Sequence, residues 1–162
     1  MKAISDFAGW YLRWFVPPTT FLQSLLLLVI RFYWGWEFFL TGKGKLGDLQ
    51  KPAEFFQSLG IPFPHAQALL AGMTECFGGL LLLAGLCGRL ISVPLAILLT
   101  VAYLTADLDK VKEIFSNPDE FLSAAEFLFL YAVVIVLAFG PGKFSLDWVI
   151  KRKVAPSSSA TR

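Results

Sequence analysis

Residues 20–40 read TFLQSLLLLVIRFYWGWEFFL, from Thr20 to Leu40, and only Arg31 and Glu37 in this stretch carry charge. A helix needs about 20 mainly apolar residues to cross the hydrocarbon of a bilayer. The run from Leu25 to Ile30 leaves no polar face of the kind a soluble bundle helix shows. The stretch therefore predicts a membrane-spanning helix. Arg31 breaks its apolar run, and Phe32-Tyr33-Trp34 stand where a cleavage site would need small residues. The span is expected to be retained rather than removed as a signal peptide.

Three further stretches are similar: His65 to Cys87, Leu90 to Ala106 and Leu122 to Gly140, the third of the four being slightly short. The composition agrees. Hydrophobic residues make up 56% of the 162 and charged residues 16%, against about a quarter charged in a soluble domain. A net charge of +2 gives no case for nucleic acid. The expected fold is all-α: a four-transmembrane-helix bundle.

Short amphipathic helices are expected around the spans. Residues 5–16 place Phe7, Trp10, Tyr11 and Trp14 at helical spacing, with Pro17-Pro18 closing the segment. The first loop offers Phe55, Phe56 and Leu59 as one face of a second short helix. Gly140-Pro141-Gly142 stops the last span, and Leu146, Val149 and Ile150 beside Lys151-Arg152-Lys153 suggest a third. The tail Ser157 to Thr161 has nothing to pack with and reads as disordered. The chain divides into an N-terminal interfacial segment (1–18), the transmembrane domain (19–144) and a basic C-terminal segment (145–162).

Basic residues set the orientation. The side holding both termini carries Lys2, Arg13, Arg89, Lys143, Lys151, Arg152, Lys153 and Arg162; the other carries Lys43, Lys45, Lys51, Lys110 and Lys112. Lys and Arg favour the cytoplasmic side, so both termini are expected there.

Ionisable groups inside a span cost roughly 2.5–3.5 kcal/mol each at the centre and need a partner or a reason. Arg31 and Glu37 lie in the first span, Glu75 in the second and Glu126 in the fourth. Arg31 and Glu75 sit near the middles of consecutive antiparallel spans and are expected to pair. Gly72, Gly78 and Gly79 beside Glu75 let a neighbouring helix come close. The pair is either a lock on helix register or part of a site for a polar ligand head or a proton relay. Glu37 and Glu126, with Asp107 at the end of the third span, are expected at one depth, where neighbouring carboxyls cannot all ionise cheaply. For Asp107 alone, contact with interfacial water is the simpler expectation. Tyr33, Trp34 and Trp36 could line a pocket for a flat ring, although aromatic girdles are the commoner use.

Cys76 and Cys87 lie 11 residues apart, about 16 Å along a continuous helix, which excludes a disulfide between them. Single His65 has no companion spaced for metal or haem. No phosphate loop, nucleophile elbow or zinc motif is present, so no metal site and no intrinsic cofactor is expected.

The order of these pieces resembles a family. A first span with central Arg31 is followed by Gly42-Lys43-Gly44-Lys45, then by Phe55-Phe56-Gln57-Ser58-Leu59-Gly60-Ile61-Pro62-Phe63-Pro64. Gly72-Met73-Thr74-Glu75-Cys76-Phe77-Gly78-Gly79 precedes Gly85-Leu86-Cys87-Gly88-Arg89. Glu126 opens the fourth span, and Gly140-Pro141-Gly142-Lys143-Phe144-Ser145-Leu146-Asp147 closes it. Over roughly residues 22 to 148 the chain is similar to the DoxX family of bacterial membrane proteins. One departure is that family members often carry a histidine where this chain reads Thr105-Ala106-Asp107.

The resemblance implies a four-helix protein of the bacterial inner membrane, linked to thiosulfate:quinone oxidoreduction or oxidative-stress complexes. Under it, the chain is an accessory subunit of a quinone-linked redox complex, with Arg31, Glu37, Glu75 and Glu126 lining a polar pocket aided by Tyr33 and Trp34. Chemistry would then belong to the quinone or to another membrane subunit. The alternative is a structural or assembly subunit whose buried charges only lock the bundle. A transporter is the weakest reading, because no inverted repeat and no broken helix is seen.

Overall fold

A computed structural model describes residues 9–154. Residues 9–14 form a short helix, α1, separated by a turn at Phe15 from α2 (Val16–Gly47). Pro17 and Pro18 fall in the first turn of α2, where a missing N–H costs nothing; they close α1 and open α2. The expected interfacial helix over 5–16 lies partly, and the tail 157–161 wholly, outside the described residues.

The order continues with α3 (Gln50–Ser58), α4 (Pro64–Ala84), α5 (Gly88–Ala106), α6 (Leu108–Lys112), α7 (Pro118–Ser123), α8 (Ala125–Phe139) and α9 (Leu146–Val154). All the described elements are helices, so the all-α bundle expected from hydropathy holds. α2, α4 and α5 are long and apolar enough to cross a membrane. α8 has 15 residues, about 22 Å of helix, short of a 30 Å hydrocarbon layer. The fourth apolar stretch, expected from Leu122, is instead divided at Ala124, which is extended (φ −61°, ψ 132°) and buried. That break frees carbonyls of α7, and the Tyr103 hydroxyl donates to one of them, Phe121 O, at 2.7 Å. The short helices in the first loop and after the last apolar helix are present as α3 and α9. In α3 the buried residue is Ala53, and Phe55 stays exposed.

The bundle is two antiparallel pairs. α2 and α4 touch along their backbones. A Cβ on Gly79 would sit 2.6 Å from Gly35 O, and one on Gly42 would overlap the backbone of Cys76. Only glycine permits that approach. α5 and α8 form the second pair, joined near one end by Arg89 donating to Ala138 O; near the other end Tyr103 ties α5 to α7 instead. Phe38, Leu82, Leu95, Leu99, Val133 and Val136 fill the space between the pairs.

α2 runs on past the C-terminus of α4. Its N-terminal half meets the segment after α8: Phe21 stands edge-on to Phe144 at 5.9 Å, and Leu27 lies against Gly142.

Candidate functional site

The glycine register decides where the buried charges go. Gly35 lies opposite Gly79, and Gly42 opposite Gly72 and Cys76. Extending this register puts Arg31 beside Gly85 and Glu75 beside the last turns of α2. Arg31 and Glu75 are thus about ten residues apart in depth, on the order of 15 Å. They do not pair, which corrects the expectation drawn from the midpoints of the apolar runs.

Glu75 pairs instead with Lys45, Nζ to Oε1 at 2.5 Å. The Glu75 side chain is 7% exposed and that of Lys45 31%. The second carboxylate oxygen, Oε2, is buried with no hydrogen-bond partner among the described residues. Lys45 reaches Glu75 because α2 continues as a helix through Gly42-Lys43-Gly44-Lys45.

Arg31 is completely buried at the other end of the α2–α4 pair. Its Nη2 donates to Phe144 O at 2.5 Å, while Nε and Nη1 have no partner among the described residues. Gly85, at φ +64°, makes room: a Cβ there would overlap Nη1. Asp147 supplies the nearest opposite field, but its carboxylate is already engaged. Oδ1 accepts from Cys87 N at 2.7 Å and Oδ2 from Gly88 N at 3.0 Å. Asp147 N in turn donates to Gly85 O at 3.1 Å. The first turn of α5 is thereby capped by a residue of α9, and α9 is held to the bundle. Sequence reasoning gave Asp147 no role of its own; its partners lie about 60 positions away and nothing local announces them. Cys87 has φ +51° and stands beyond the end of α4, so the two cysteines are not on one helix; both are free.

A third polar group sits at the far end of the α5–α8 pair. Lys110 pairs with Asp107, Nζ to Oδ1 at 2.7 Å, and the Asp107 and Glu126 carboxyls are hydrogen-bonded. Hydrogen bonding from Glu126, and then from Lys110, holds Asp107 below the usual carboxylate range. The bond to Asp107 raises Lys110 in turn. Two of the three acids expected at one depth therefore meet. Glu37 does not join them.

Glu37 instead borders a groove of about 810 Å³ on the outer surface of α2 and α4, with Val29, Phe32, Tyr33, Trp36 and Leu83. Its carboxyl and the Tyr33 hydroxyl make no hydrogen bond among the described residues. Trp34 turns the other way and packs on Phe129 at 4.6 Å. Arg31, Glu37, Glu75 and Glu126 thus occupy four separate places. Among the described residues no three His, Cys, Asp or Glu side chains gather as metal ligands. His65 is exposed in the first turn of α4.

The family model for DoxX matches residues 26–108. A Haemophilus influenzae protein described as "Uncharacterized protein" is 30% identical over 141 residues, covering 85% of this chain and 90% of its own. The Bacillus subtilis protein named "Putative oxidoreductase CatD" is 31% identical over 140 residues, covering 86% of this chain and 96% of its own. No solved structure matches.

Proposed function

The chain belongs to the DoxX family of membrane proteins, and from that premise we propose that it is a small subunit of a quinone-linked redox complex in the bacterial inner membrane, with both termini cytoplasmic. The observation that carries the reading is the groove at Tyr33, Trp36 and Glu37. It opens sideways from the bundle, where a lipid-soluble quinone travels. Its walls are apolar and aromatic, suited to a flat ring. Tyr33 and Glu37 supply two unengaged polar groups able to orient quinone oxygens, which matches the sparse polar lining of ligand sites generally. The name of the Bacillus subtilis relative, "Putative oxidoreductase CatD", supports this direction. The chain's residues bind and orient; electron transfer belongs to the quinone and another subunit.

The second reading, a structural or assembly subunit, draws on the Lys45–Glu75 pair and the Asp147 cap, which hold helices together. Titrating the purified protein with decylubiquinone separates the two. Under the first reading it binds saturably, and Trp36→Ala weakens binding at least about tenfold, in line with an aromatic anchor worth about 1.5 kcal/mol or more. Under the second it partitions without saturation, and the variant changes nothing.

A further inference from the structure

We propose that the end of the bundle around α9 holds an anionic phospholipid, its headgroup at Lys143 and one acyl chain in the groove between α9 and the α2–α4 pair. This groove adjoins the quinone groove, sharing Phe32, Leu83 and Ala84 with it, but the proposal does not depend on the quinone reading. The groove, about 590 Å³, has walls of Phe32, Leu83, Ala84, Phe144, Trp148 and Val149, with Lys143 as its one charged lining residue. An aqueous metabolite gains little from such walls, whereas a hydrocarbon chain fits them.

The charge around the groove selects the headgroup. From Gly78 to Tyr103 and from Phe139 to Val154 the only acid is Asp147, against Arg89, Lys143, Lys151, Arg152 and Lys153. Both oxygens of Asp147 are taken by Cys87 and Gly88 backbone N–H groups. Beneath Phe144, whose carbonyl it holds, Arg31 adds a buried positive charge with no ion pair among the described residues. Arg152 lies over the Trp148 ring at 4.5 Å, which brings its charge to the groove wall. A basic helix with an exposed apolar face suits the headgroup boundary, and basic residues there attract anionic lipid. The Asp147 cap gives this helix a fixed position, turning a general attraction into a site.

The test uses the full chain in neutral detergent, titrated separately with dioleoylphosphatidylglycerol, dioleoylphosphatidylcholine and sodium phosphate, and read by native mass spectrometry and melting temperature. Phosphatidylglycerol is expected to remain bound at one per chain and to raise the melting temperature. Phosphatidylcholine should bind at least about fivefold more weakly. Lys143→Ala should weaken phosphatidylglycerol about fivefold, consistent with one surface charge, and leave phosphatidylcholine unchanged. Val149→Trp should exclude both lipids by filling the groove. Lys143 and Val149 are exposed; if Val149→Trp does not elute as the parent does, Lys143→Ala decides alone. Equal retention of the two lipids overturns the proposal, as does unchanged binding in Lys143→Ala. So does sodium phosphate giving the whole stabilisation, which would make the ligand a free anion.

Discussion

Lys45 and Glu75, 30 positions apart, meet as an ion pair across the glycine-lined contact of α2 and α4, and the two partners are unequally buried. Lys45 can turn its ammonium toward water; Glu75 cannot follow. Lys45→Met is therefore expected to destabilise more than Glu75→Gln, by about 3 kcal/mol or more, because it leaves a buried carboxylate uncompensated. The double change Lys45→Met with Glu75→Met should recover most of the loss. Denaturation of the three variants in one detergent checks the order. Equal losses in the two single variants would show that the burial difference does not matter.

Gly85 and Arg31 make a second, sterically defined pair. Any Cβ at Gly85 collides with the guanidinium, and the residue's positive φ disfavours other side chains as well. Gly85→Ala should cost at least about 2 kcal/mol, combining overpacking with backbone strain. Gly85→Ala combined with Arg31→Met should be better tolerated than Gly85→Ala alone, as melting temperatures would show. A neutral Gly85→Ala would refute the close fit.

Asp147 is expected to control how firmly α9 is attached. Asp147→Ala removes both acceptors from Cys87 N and Gly88 N, a loss of about 1–2 kcal/mol for a helix cap. Hydrogen exchange should speed up at the first turn of α5 and over α9, with α4 unaffected. Unchanged exchange over α9 would mean that other contacts hold it.

The Asp107 group gives a signed pH dependence. Asp107 is held low, so its contribution is present above its unfolded value, about pH 3.9, and is lost as pH falls through the folded value. Lys110 is held high, so its contribution is present below about pH 10.4 and is lost as pH rises through its folded value. Asp107→Asn should flatten the melting-temperature profile on both limbs. A variant with the parent's acid limb would show that Asp107 gains nothing on folding.

The apolar helices were legible because hydropathy reports them directly; the partner of Glu126 was not, because the expected shared site was with Glu37 and Asp107 was assigned to interfacial water, whereas the break before α8 brings Asp107 beside Glu126. Boundaries were not legible either, because hydropathy stops at the first charge while backbone hydrogen bonding continues. α2 runs through Lys43 and Lys45, which read as loop, and so the true partner of Glu75 was overlooked. The signal for register was present: Gly35 and Gly42 on one span, Gly72 and Gly79 on the next, each pair seven apart. Matching those pairs in antiparallel order gives the observed contact and excludes an Arg31–Glu75 bond. The roles of Asp147 and Phe144 depend on pairings that no local pattern encodes.

The central claim is that quinone binds at the outer face of α2. Photolabelling the purified protein with an azido-substituted ubiquinone, then mapping the modified peptide, tests it most directly. Labelling is predicted between Val29 and Glu37, suppressed by excess unlabelled quinone and lost in Trp36→Ala. Labelling that excess quinone does not suppress, or that falls on α5 or α8 instead, would contradict the account.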